Sequence, residues 1–139
     1  MTRVHNETRY PEHEVAELVR FAIDRSRVDL AEVKVLPEAL PDEPTKPPGR
    51  GWVDPLANGT CRITVMPKSH SYLRDYNGPE FLRGSAANPF PVYAWQDWRE
   101  SLVHLVAHEC EHVAGERDES RCERAAVATL EAYQAERTP

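Results

Sequence analysis

Residues His108-Glu109-Cys110-Glu111-His112 form an H-E-x-x-H sequence within a stretch whose apolar spacing predicts a helix, and no other feature constrains the fold as much. Histidines four residues apart project from one face of an α-helix, about 6 Å apart along its axis, so two imidazoles can grip one cation. Glu109 lies one step round the helix. Its carboxylate can reach a water beside the ion rather than the ion itself, which is the place of a general base.

The surrounding residues extend this local reading to a helix pair. From 96 to 114, apolar residues recur at Trp98, Leu102, Leu105, Val106 and Val113, with Asp97 as a first-turn acid and Gly115 as a stop. The chain then turns through Glu116-Arg117-Asp118 and enters a second predicted helix, from Glu119 to about Glu136, whose buried stripe is Val127, Leu130 and Tyr133. Together they predict an αα-hairpin. A structural zinc is normally closed by four protein ligands, whereas two histidines and one carboxylate leave a corner open for solvent. Glu119, Asp118 and Glu123 are the carboxylates in range. The bland reading of Glu119 and Glu123 is that they are first-turn acids favoured by the helix dipole.

With these residues in place, the last third of the chain resembles the gluzincin class of zinc peptidases, in which a helix bearing H-E-x-x-H precedes a helix whose glutamate is the third ligand. Glu119-Ser120-Arg121-Cys122-Glu123-Arg124-Ala125-Ala126 is similar to the E-x-E-A-D-x-x-A pattern of small phage and bacterial gluzincin-like proteins, with Arg121 at the second Glu position, Cys122 at the Ala position and Glu123 at the Asp position. The resemblance implies a zincin-like fold, Zn²⁺ held by His108, His112 and Glu119, and Glu109 as general base in hydrolysis of a peptide or protein substrate. It further implies that Glu123 accepts a hydrogen bond from the other nitrogen of a liganding histidine. In that class an edge strand beside the active helix holds an extended peptide, a role for which Thr60 to Met66 is the candidate here.

A second pattern overlaps the first. His108 to Asp118 also fits H-E-x-x-H-x-x-G-x-x-D, which resembles metzincins with an aspartate as third ligand. Those enzymes need a methionine turn downstream of the motif, and the two methionines here are Met1 and Met66. Glu119 therefore ranks above Asp118 and Glu123. His104 is not expected to be a ligand, since a straight helix would have to close a span of about 12 Å to join positions 104, 108 and 112 on one ion; it reads as a packed or solvent-facing histidine, with a substrate contact as the lesser alternative. His70 and Tyr93 are candidates for stabilising a transition-state oxyanion. Cys110 points away from the flanking histidines and is expected to be buried packing.

Length and charge bound the rest. A chain of 139 residues that is 40% hydrophobic predicts one domain, residues 1–139, with a modest core. A net charge of −6 with no Lys/Arg cluster argues against nucleic acid or an anionic membrane as partner. Three cysteines without a C-x-x-C pair, and no charged-then-apolar leader, predict a cytoplasmic protein. Upstream of the hairpin, residues 11 to 26 predict a helix with Val15, Leu18, Val19, Ala22 and Ile23 on one stripe. Val33 to Leu36 and Thr60 to Met66 predict strands. The fold class expected is α+β: a small antiparallel sheet packed on the N-terminal helix and the C-terminal hairpin. Residues 37 to 59 hold six prolines and three glycines and read as a lid or flexible insertion, and 67 to 95 as irregular chain whose aromatics either line a cleft or, at least as readily, pin a long loop onto the core. The competing functional class is a non-catalytic zinc-binding or interaction domain of the same fold.

Overall fold

The computed structural model describes residues 2–38, 49–74 and 90–137. Its elements are β1 (Arg3–Asn6), α1 (Glu12–Ser26), β2 (Glu32–Val35), β3 (Arg50–Pro55), β4 (Cys61–Met66), β5 (Tyr72–Arg74), β6 (Tyr93–Trp95), α2 (Trp98–Val113) and α3 (Glu119–Arg137). The class is α+β, with the C-terminal helix hairpin in the expected place.

The helix α1 forms because Val15, Leu18, Val19 and Ala22 fall on one stripe and are buried, while Glu12 and Glu14 complement the dipole at its start. It stops at Arg27, which takes a left-handed conformation (φ 55°) and returns its N–H to the Ile23 carbonyl. Because α1 is the crossover from β1 to β2, those strands run parallel, and β2 also runs parallel to β4. Only β3 pairs antiparallel, so the four-stranded sheet, ordered β1-β2-β4-β3, is mixed rather than antiparallel throughout. A separate antiparallel pair joins β5 to β6.

Two expectations about strands are corrected. Thr60 to Met66 is expected to be an edge strand, but β4 is interior, with Val65 opposite Val35 on one side and Gly51 on the other. The edge next to α2 belongs to β3, which arises inside the proline- and glycine-rich tract expected to be a lid. The tract becomes a strand because Asn58-Gly59 closes a tight turn, with Leu56 N–H donating to the Thr60 carbonyl at 2.8 Å and Gly59 at φ +84°. Residues 39–48 of that tract lie outside the described residues, as do Tyr76 and Phe81 of the irregular aromatic segment. Of its other aromatics, Trp95 is fully buried and Tyr93 nearly so, on β6.

At the centre lies α2, which packs against α1, α3 and the faces of β3 and β4. Twelve of its sixteen residues are buried, from Trp98 to Cys110, so its apolar stripe has widened to almost the whole circumference of those turns. Asp97 caps it, accepting from the backbone N–H groups of Arg99 and Glu100. Glu100, itself buried, accepts from Gln134 Nε2 at 2.9 Å and Arg137 Nη1 at 3.2 Å, which clasps the start of α2 to the end of α3. Among the described residues no helix is long and apolar enough to cross a membrane, and Cys61, Cys110 and Cys122 are free thiols.

This packing predicts a severe cost for emptying the centre of α2. Leu102 is fully buried, so Leu102→Ala should lower the unfolding free energy by about 2–5 kcal/mol. Urea titration monitored by circular dichroism measures it, and a loss under about 1 kcal/mol would contradict the central placement of α2.

Candidate metal centre

The turn between α2 and α3 both reverses the chain and supports the site. Gly115 takes φ +102°, a conformation suited to glycine, and the Glu116 carbonyl then faces back onto α2. His112 donates its Nδ1–H to that carbonyl at 2.8 Å, which turns Nε2 of the same ring towards α3. Asp118 accepts at Oδ1 from the N–H groups of Ser120 and Arg121 and so caps α3. Glu119 is the first residue of that helix, and its side chain returns across the mouth of the hairpin.

There the sequence-predicted ligands meet. Glu119 Oε1 lies 2.7 Å from His112 Nε2, and Glu119 Oε2 lies 3.2 Å from His108 Nε2. Asp118, the metzincin-like alternative, is committed to capping α3 and does not line the cleft.

On the far side of His108, Glu123 occupies the supporting position. Its Oε1 is 2.6 Å from His108 Nδ1, a short charge contact that lies off the ring N–H axis. Tyr93 donates its hydroxyl to Glu123 Oε2 at 2.5 Å, and His104 Nε2 lies 3.4 Å from Oε1. Burial opposes charge on Glu123, yet its contacts with His104 and His108 hold its carboxyl far below the usual range. The two alternative trios of ligand-type atoms, His108/His112/Cys122 and His104/His108/Glu123, gather on this supporting side. Cys122 Sγ is 3.7 Å from His112 Nδ1, the nitrogen already given to Glu116, and burial pushes its thiol up to about 12. Both Nε2 atoms face Glu119 instead.

The electrostatics of the centre demand positive charge. Burial works against charging His108, but its contacts with Glu119 and Glu123, and the nearby Glu109, outweigh it and push the ring up to about 10. Three carboxylates thus surround two imidazoles. Imidazole and carboxylate are donor types that several divalent cations accept.

Glu109 points into a cleft of about 540 Å³, whose walls include β3, Arg74 and Phe90 as well as the three predicted ligands. The Glu109 side chain is buried, with Oε2 4.0 Å from His108 Nε2. Burial raises its pKa, an effect that the charges of His108 and His112 oppose.

The two oxyanion candidates are corrected. His70 is exposed and does not line the cleft, and the Tyr93 hydroxyl is buried and spent on Glu123. Arg74 lines the cleft, with its guanidinium stacked 4.4 Å above the Trp95 ring, and sequence reading did not single it out. It lies two residues beyond Tyr72 in a segment without helical or strand periodicity, so its only signal was its charge. As expected, His104 and Cys110 are fully buried, and His104 is stacked on Tyr93 at 4.2 Å. Comparison with family models, characterised proteins and solved structures gives no match.

His104 gives a pH prediction for the metal-stripped protein. Burial lowers its pKa from 6.5 to about 4, against the opposing pull of Glu123. Between those values the unfolded chain binds a proton that the folded ring refuses, so stability falls as pH drops through the window. His104→Gln keeps a side-chain N–H for Glu123 and removes that part of the slope. Urea titrations at pH 7 and pH 5 measure the difference, and equal losses in both chains would count against a neutral buried imidazole.

Proposed function

We propose that the protein is a zinc-dependent metallopeptidase of gluzincin type that hydrolyses peptide bonds in a peptide or protein. The observation that carries this reading is the convergence of His108 Nε2 and His112 Nε2 on the Glu119 carboxylate, beside a buried Glu109 that opens into the same cleft.

His108, His112 and Glu119 would hold the ion, with the His112 ring oriented by its Nδ1–H bond to the Glu116 carbonyl and the His108 ring seated against Glu123. Bound there, zinc supplies the positive charge that polarises a carbonyl and brings the pKa of water towards about 7. Glu109 accepts the proton of the attacking water and returns it to the departing amine, a role helped by burial, which raises its pKa above the ordinary carboxylate value. An extended substrate would lie along β3, the sheet edge that forms one wall of the cleft, by main-chain hydrogen bonding. Half-exposed Trp52 on that strand offers an apolar surface to a substrate side chain.

Glu109→Gln preserves shape but cannot take a proton, so it should cut turnover of an unfolded protein substrate by about 100- to 10,000-fold. Metal analysis should still find one zinc per chain in that variant and none in His112→Ala. Turnover retained by Glu109→Gln refutes the mechanism. One zinc per chain with no cleavage across a broad peptide library would instead favour the non-catalytic zinc domain.

A further inference from the structure

Strand β3 approaches α2 more closely than a strand with side chains on both faces allows. Alternate strand residues face the same side, and on the side of β3 that meets α2 and β6 the run 49, 51, 53 is Gly, Gly, Val. A Cβ at Gly49 would stand 2.8 Å from Trp95 Cζ3, and one at Gly51 would stand 3.0 Å from Glu109 Cγ. The second contact concerns the reacting centre directly. Gly51 needs no unusual φ, so its reason for being glycine is space: the Glu109 side chain lies against the strand where a methyl group would be.

We propose that Gly51 is a positioning residue for Glu109, its bare Cα forming the seat that aims the Glu109 carboxylate into the cleft. This inference rests on reading Glu109 as the general base. The neighbours of the missing Cβ show how little room there is to relax. Val65 Cγ1 would be 3.2 Å away and the Thr64 carbonyl 3.3 Å away, and both belong to β4, which is paired on both sides. The strand cannot easily retreat from α2, so much of the displacement falls on Glu109. A base moved by even part of an ångström loses its alignment with the attacking water, and a 1 Å misplacement can cost about 100-fold in rate.

The test compares Gly51→Ala with the wild type, each loaded with zinc and each also made in a Glu109→Ala background. Gly51→Ala is expected to lower kcat by about ten- to a hundredfold, with the zinc stoichiometry unchanged. Its loss of melting temperature should shrink by about half or more in the Glu109→Ala background, because the atom it strikes is gone. A kcat within twofold of wild type overturns the proposal, and so does an equal thermal loss in both backgrounds. Should Gly51→Ala fail to fold, recovery of folding with Glu109→Ala supports it and continued failure overturns it. If the wild type cleaves nothing, the peptidase reading fails by itself, while the melting-temperature comparison still decides whether Gly51 seats Glu109.

Discussion

A carboxylate buried as deeply as Glu123 is costly to keep ionised, by several kcal/mol, unless donors converge on it. Here Tyr93 from β6 donates to one oxygen, while His104 and His108 from α2 meet the other. Two elements, β6 and α2, are thereby tied to one side chain of α3. The same contacts hold the His108 ring against Glu123, so the stability of the hairpin and the placement of that imidazole share one set of interactions.

The hairpin is fastened at both ends by chemistry of different kinds. At one end Glu100, Gln134 and Arg137 form a polar clasp between the start of α2 and the end of α3. At the other, the short turn through Gly115 brings Glu119 back over His108 and His112. Between them Leu102, Val106, Ala126 and Leu130 are buried and fill the core. Among the described residues α2 is surrounded on most sides, and the face that carries the motif opens into a cleft bordered by β3. Leaving that face partly uncovered is what creates a cleft beside the reactive groups.

Much of this is legible in the amino-acid sequence alone. The helical period of 96–114 and the turn signals at 115–118 predict the hairpin, because local spacing alone decides which residues share a helix face. The ranking of Glu119 above Asp118 agrees with the geometry, in which Asp118 caps α3. Other features are hidden for identifiable reasons. β3 is obscured by Gly51 and Pro55, which weaken a strand signal, although Asn58-Gly59 marks its hairpin. β1 has a single apolar residue, Val4, and depends on pairing with β2 for its existence. The direction of β1 and β2 cannot be inferred from strand patterns, since the crossover through α1 imposes it.

The sequence by itself determined the motif-bearing helix, the hairpin, and which imidazoles share a helix face, because each follows from residue spacing within a few helical turns. Only the tertiary structure decided that Tyr93 and His104 support Glu123, that β3 rather than β4 borders the cleft, and that Gly51 leaves room for Glu109. Those relations join residues 19 to 58 positions apart. Their contact depends on how helices and strands stack, which local periodicity does not encode.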